Sequence, residues 1–371
     1  PTSGHANHPA CQFCNCTYRH PGNCVDDCKE QKICIRVMNS QSFNIELQQL
    51  SVGYEQPGDE PLEILKNINL SAAPGEMVAL IGSNGIGKST LLRTLAGFQP
   101  WFSGNIQISG RNLKQLGAKE QATIMSFVST ENVRIPNLSV FDLVAYGRFP
   151  YTNWIGMLSD SDKAQINESI EKVGLRGFEN RPVAQISDGE RQRAMIARAL
   201  AQDTPVIVLD EPTAYLDVSN KYEIFHLLQV LANEKKKTIV LSTHDLNIAL
   251  REVDKLWIAT DKGTNQGAPE DAVLHGWLNQ LFRNDHVGFD ANEGEFFFKK
   301  EFKAKVKVEG EGLPLTWTLR ALNRKGYQIV MQAECDYRVR ANENNWELYA
   351  NNISETFGSI YQLLAFLESL D

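Results

Sequence analysis

Eight consecutive residues, Gly82-Ser83-Asn84-Gly85-Ile86-Gly87-Lys88-Ser89, follow the spacing G-x-x-x-x-G-K-[ST], a pattern suited to gripping a row of phosphates. The glycines let the backbone curl so that its N–H groups face inward and cradle phosphate oxygens. Lys88 would reach the outer phosphates, and Ser89 would offer a hydroxyl to a magnesium ion bridging them. A helix starting here, with Thr90 in its first turn, adds partial positive charge. Such a loop needs a strand before it and a helix after it. Met77-Val78-Ala79-Leu80-Ile81 reads as a buried strand, and Thr90-Leu91-Leu92-Arg93-Thr94-Leu95-Ala96 has helical spacing with no breaker. On these residues the chain binds a nucleoside triphosphate.

A second acidic motif comes later in the chain. Pro205-Val206-Ile207-Val208-Leu209-Asp210-Glu211-Pro212 is an apolar run ending in two acids, as a parallel strand buried on both faces would read. Asp210 at its tip can hold magnesium, directly or through water, and Glu211 is positioned to polarise an attacking water. Between the two motifs, Ile186-Ser187-Asp188-Gly189-Glu190-Arg191-Gln192-Arg193 opens a long helix. Ser187 suits the N-cap, and Gly189 keeps the backbone open near an anion.

In this order, over roughly residues 43–285, these stretches resemble the ABC (ATP-binding cassette) ATPases. Ile186–Arg193 looks like that family's signature motif, and Pro212-Thr213-Ala214-Tyr215-Leu216-Asp217 like its D-loop. Ser242-Thr243-His244-Asp245, after the apolar strand Thr238–Leu241, looks like its switch histidine, and Val52-Gly53-Tyr54 like its adenine-stacking aromatic. The resemblance implies a P-loop NTPase cassette of α/β class, with a RecA-like core, an antiparallel β-subdomain and a helical subdomain. It also implies roles. Two copies pair head to tail, so that ATP lies between one P-loop and the partner's Ser187–Gly189 segment, with Asp217 beside it. His244 bonds the γ-phosphate and orients Glu211 and the water; Tyr54 stacks on adenine, though a strand tyrosine can also simply pack.

Two positions depart from the family pattern. After Ile124-Met125-Ser126-Phe127-Val128 a magnesium-touching glutamine is expected, yet Thr130 occupies that place, with Glu131 beside it. A threonine hydroxyl is too short to reach the ion except through water. Asp188 stands where the signature has glycine; it suits a helix first turn but would repel phosphate, so its side chain is expected to face away. Neither change removes Glu211, and an active ATPase is expected.

Leu138–Tyr151 resembles the cassettes that power uptake of iron–siderophore complexes, haem and cobalamin. Those work with two membrane-embedded permease subunits and an extracytoplasmic substrate-binding protein. Phe149, Tyr151 and Trp154, with Ile155 and Met157, form either a permease-docking surface or a satellite core of the helical subdomain. The expected location is the cytoplasmic face of the inner membrane, peripherally. Two alternatives stay open: a soluble, non-transport ABC ATPase, or a weakly hydrolysing regulatory cassette. Against the first, the chain has one P-loop and no coiled-coil insert between its motifs.

Composition agrees with this outline. The 371 residues are 42% hydrophobic and 22% charged, and the net charge of −8 argues against a nucleic-acid partner. No run approaches 18 apolar residues, and no apolar leader is visible, so a membrane role would come through a partner. Residues 1–37 hold Cys11, Cys14, Cys16, Cys24, Cys28 and Cys34 with His5, His8 and His20, in spacing that fits no standard zinc module. This head reads either as a disordered or non-native extension ahead of a start at Met38, or as a zinc or cluster site. From residue 297 to 371 the pattern restarts as a small α+β appendage of expected order β-α-β-β-β-α. It begins with a strand at Phe302–Val308 and a helix at Thr316–Lys325, and a last helix carries Ile360, Leu363, Leu364 and Leu367. The appendage resembles a tail on Bacteroidetes-type cassettes and carries no chemical constellation; a regulatory or dimer-stabilising part is expected.

Overall fold

The computed structural model describes residues 43–55, 61–129, 137–153, 156–214, 216–281, 286–291, 294–331, 334–350 and 353–370. The cysteine-rich head lies outside these residues, as do Thr130, Glu131, Trp154, Ile155 and Tyr215. Packing divides the chain into two units, one up to Gln266 and one from Gly267.

The first unit begins with β1 (Ile45–Tyr54) and β2 (Leu62–Ala72), then β3 (Met77–Gly82), the phosphate loop and α1 (Lys88–Leu95). Next come β4 (Ser103–Ile108), β5 (Arg111–Asn112), α2 (Ala118–Ile124) and β6 (Met125–Val128). A helical stretch comes after them: α3 (Val140–Ala145), a 3-10 turn at Tyr146–Tyr151, α4 (Asp160–Lys172) and α5 (Asp188–Ala201). The chain then alternates through β7 (Val206–Leu209), α6 (Val218–Lys235), β8 (Thr238–Ser242), α7 (Leu246–Glu252), β9 (Lys255–Thr260) and β10 (Gly263–Gly267).

Two sheets result. β2-β1-β4-β5 is antiparallel, and its inward residues Ile45, Leu47, Leu50, Ile68, Leu70, Ile106 and Ile108 are buried. The second sheet runs β10-β9-β3-β8-β7-β6, with β9, β3, β8, β7 and β6 parallel. Every residue of β7 and β8 is buried, as the unbroken apolar runs require when both faces are covered. Register sets where the strands end. Leu80 pairs with Ser242, Leu241 with Leu209, and Leu209 with Val128, so these strands end level with one another. The loops after β3, β7 and β8 therefore leave the sheet at one carboxyl edge, where open α/β sheets bind ligands.

The helical stretch is tied to the sheet through α5. Arg198 donates to the Phe127 carbonyl at 2.9 Å, and Gln202, just past α5, donates to those of Ala122 and Met125 at 2.7 and 3.0 Å. Burial pushes the Arg198 guanidinium below its ordinary value. From the 3-10 turn, Arg148 donates to the Ala201 carbonyl and Tyr151 to that of Gln202.

The second unit opens with α8 (Pro269–Leu274) and a two-stranded ribbon of β11 (Val287–Asp290) and β12 (Glu295–Phe298). Then come β13 (Lys305–Gly310), α9 (Gly312–Arg324), β14 (Gln328–Ile329), β15 (Tyr337–Ala341), β16 (Trp346–Ala350), β17 (Ile353–Phe357) and α10 (Ile360–Glu368). They build a five-stranded sheet, β14-β13-β15-β16-β17, over a core of Val306, Leu322, Tyr327, Val339, Leu348, Leu363 and Leu367. Four strands separate the two helices, one more than the sequence suggested. Only Asn351 and Asn352 part β16 from β17, so on sequence the two read as one run. The first helix also starts earlier, at Gly312, because Pro314 is tolerated in a first turn that needs no donor from it.

Candidate functional site

The phosphate loop has the backbone its glycines permit. Gly85 and Gly87 take φ of +76° and +106°, and a Cβ on Gly87 would sit 2.7 Å from Ile64 Cγ2. Gly87 is the N-cap of α1, no side chain caps that helix, and no acid lies in its first turn. Its leading N–H groups are thus left for an anion. Lys88, with only 6% of its surface exposed, donates to the carbonyls of Gly82 and Ser83 at 2.9 and 3.2 Å. Burial pushes its pKa down, while Glu211 and Asp210 pull it back up. A phosphate chain would supply the counter-charge that burial makes valuable.

The acids gather opposite. Ser89 Oγ donates to Asp210 Oδ1 at 3.1 Å, and the Asp210 N–H is fixed by the Val128 carbonyl at 2.8 Å. This pair of hard oxygen donors fits magnesium, which takes one or two protein ligands and fills its octahedron with phosphate and water oxygens. Glu211 has φ of +48°, a left-handed conformation that costs a non-glycine residue about 1–2 kcal/mol. Its carboxylate Oε1 lies 2.6 Å from His244 Nε2, so carboxylate and imidazole are already joined. Both are part-exposed, and they line a cleft of about 320 Å³ with Thr213, Leu216, Lys221 and Asp245. Asp245 caps α7 and pairs with Lys221 at 3.3 Å, which steadies the loop carrying His244.

Tyr54 ends β1 with 46% of its surface exposed and its hydroxyl 2.8 Å from Thr90 Oγ1, so Thr90 is engaged by the tyrosine and is itself buried. The ring edge thus stands at the start of α1, where a base attached to loop-bound phosphates could reach it.

The Ser187 segment is a capping box. Ser187 Oγ accepts from the Glu190 N–H at 3.3 Å and donates to Glu190 Oε2 at 2.9 Å, while the Ser187 N–H reaches the same oxygen at 2.7 Å. The backbone N–H of Ser187 first, and its hydroxyl next, hold the Glu190 carboxyl below the usual range. Asp188 forms an ion pair with Arg191 at 2.6 Å, one helical turn away. Arg191 also donates to the Ile186 carbonyl at 3.2 Å, so its guanidinium is anchored where it balances Asp188. Asp217 caps α6 through the Asn220 N–H and side-chain amide, and Asn220 in turn accepts from Arg193 of α5 at 2.6 Å. A Cβ on Gly189 would meet Asn220 at 3.5 Å, so this glycine lies beside that cap.

Sequence reasoning gave three residues here no role of their own. Ser242 was legible only as a lone hydroxyl ending an apolar strand; it joins the two acids. Arg191 follows Asp188 by three, the spacing of a helical ion pair. Asn220 carried no sequence signal. In the helical stretch Phe149, Tyr151 and Met157 are 54%, 42% and 66% exposed, with Arg148 stacked 4.1 Å over the Tyr151 ring.

Comparison with known proteins finds related chains and folds. The ABC transporter family model matches residues 65–214, and that of the iron ABC transporter C-terminal domain matches 303–368. An uncharacterized ABC transporter ATP-binding protein of Methanocaldococcus jannaschii is 39% identical over 77% of this chain and 98% of its own length. The iron(3+)-hydroxamate import ATP-binding protein FhuC of Bacillus subtilis is 37% identical over 67% of this chain and 89% of its own. Among solved structures, a metal-chelate type ABC transporter in an inward-facing conformation matches with a TM-score of 0.57, at 25% identity, over 69% of this chain and 96% of that one. A dimeric cassette in a post-hydrolysis state, bound to ADP and phosphate, matches with a TM-score of 0.54, at 29% identity, over 61% and 98%.

Proposed function

Because the chain belongs to the ATP-binding proteins of ABC transporters, and is an ATPase, we propose that it drives import of an iron–siderophore, haem or cobalamin complex. It acts as a head-to-tail homodimer against two permease subunits, fed by an extracytoplasmic binding protein, from the cytoplasmic face of the inner membrane. Among the described residues no helix is long and apolar enough to cross a bilayer, so contact with the membrane would run through those permeases. The exposed Phe149, Tyr151 and Met157 are the docking strip this reading assigns to them. The C-terminal unit takes a regulatory or dimer-stabilising part.

The observation that carries the reading is the Glu211–His244 contact at the sheet edge beside the phosphate loop. Lys88 and the N–H groups of the loop hold the outer phosphates. Glu211 takes a proton from the attacking water, and His244 keeps its carboxylate aimed. Ser187 and Gly189 of the second copy close over the γ-phosphate as fixed donors, worth more there than water would be. Ser89 and Asp210 would hold Mg²⁺, which when bound would neutralise charge on the β- and γ-phosphates; Thr130 would reach it only through water.

The test replaces Glu211 by Gln. ATP binding should persist while turnover falls by about 100-fold or more, the size expected for loss of a general base. Undiminished turnover defeats the assignment. The importer reading is tested by ATP-dependent accumulation of ferric siderophore in vesicles bearing the permeases; ATPase activity indifferent to the permeases would favour a soluble cassette.

A further inference from the structure

Ser242 ends β8 two residues before His244, and it is fully buried. The polarity of its hydroxyl is unambiguous. The Glu211 N–H can only donate, so Ser242 Oγ accepts it, at 2.8 Å. Its own proton then goes to Asp210 Oδ1, at 2.7 Å, the same atom that Ser89 approaches at 3.1 Å. One hydroxyl thus spans two consecutive acids with different tasks, gripping the carboxylate of the first and the backbone of the second.

Both grips act on directions that matter. Glu211 is held in the left-handed region, and turning its backbone toward an ordinary conformation would swing the carboxylate away from His244. Asp210 Oδ1 has two hydroxyl donors; Ser89 can offer a lone pair to a cation while still donating to it, and Ser242, at 2.7 Å against 3.1 Å, is the closer of the two. Ser242 is the donor that also ties Asp210 to the Glu211 backbone. We propose that Ser242 is a positioning residue for ATP hydrolysis, acting through Glu211 and Asp210 rather than on the nucleotide. The inference rests on the proposed role of Glu211 as the base.

The experiment uses the full chain with Ser242→Ala, Ser242→Cys and Ser242→Thr beside wild type and Glu211→Gln. It measures kcat and KM for ATP, ATP binding in EDTA, and deuterium uptake by nucleotide-free peptides spanning residues 209–214. The alanine and cysteine variants should bind ATP within threefold of wild type with KM little changed. Their kcat should fall at least fivefold, and the 209–214 peptides should exchange faster. The threonine variant, which restores a hydroxyl, should recover kcat to within threefold. A smaller fall in alanine and cysteine, or equal losses in threonine and cysteine, overturns the proposal. If the alanine variant does not fold, the threonine–cysteine contrast decides alone. Turnover surviving in Glu211→Gln would instead remove the reading of the base, whereas collapse there with Ser242→Ala unaffected removes only this inference.

Discussion

Gly147→Ala probes how tightly the helical stretch is locked to the sheet. A Cβ at this position would lie 2.2 Å from the Arg198 carbonyl oxygen, 3.1 Å from the Gln202 nitrogen and 3.2 Å from Ala201 Cβ. The first two are backbone atoms at the end of α5 and cannot rotate away, so the Tyr146–Tyr151 turn must retreat by about 1 Å to restore ordinary contact. That retreat loosens the bonds from Arg148 to Ala201 and from Tyr151 to Gln202, both now within 2.9 Å. Overpacking costs about 1–3 kcal/mol, and weakening a charged hydrogen bond about 1.5–3 kcal/mol, so with partial relaxation the net loss is about 3 kcal/mol. For a unit of this size that is a fall in Tm of roughly 6–12 °C. Differential scanning calorimetry reads it, and ATP binding at the separate loop edge should survive. Where the permeases are present, their stimulation of turnover should fall, because the moved turn carries Phe149 and Tyr151. A Tm within 2 °C of wild type would refute the close-packing argument.

Other contacts carry three further outcomes. Lys88→Met should weaken ATP binding by about 10- to 100-fold, the loss of one or two charge-assisted bonds, while apo stability holds or rises since burial already disfavours that charge; isothermal titration and a thermal melt read the two effects. The Asp162 carboxyl is held down to about 2 from 3.8 by the Ser159 hydroxyl first and Arg148 next, so its stabilisation is present above about pH 4 and is lost as pH falls toward 2. Asp162→Asn should flatten that acid-side loss in urea titrations, at the expense of about 1–2 kcal/mol at neutral pH. In the proposed head-to-tail dimer Arg191→Met would leave Asp188 unbalanced beside the partner's phosphates, so ATP-driven dimerisation should weaken by about 3- to 10-fold in sedimentation, and adding Asp188→Gly should restore it.

The phosphate loop, the acid-ended strand and the histidine after β8 were legible because each is a short stretch whose chemistry and local structure come from the same few residues. Gly87 cannot be replaced where φ is +106°, and β7 and β8 are buried throughout, so periodicity and motif agree there. The helix over Thr316–Lys325 was legible but begins earlier in the fold, because Pro314 masks its first turn. The appendage's fourth strand was lost to a two-residue separation. The exposure of Phe149 and Tyr151 could not be read from apolar residues that serve a surface as readily as a core.

What the sequence determined alone is the inventory: a loop for phosphates, two adjacent acids, a histidine and a capped helix, each within a dozen residues of its own support. What only the tertiary structure decided is which of these groups touch. Asp210 lies 121 positions after Ser89, and Ser242 lies 31 beyond Glu211, yet the register of three parallel strands makes them neighbours. Contacts at that separation depend on strand order and on where each strand ends. A linear pattern carries neither, since the pairing that sets them is made across the sheet and not along the chain.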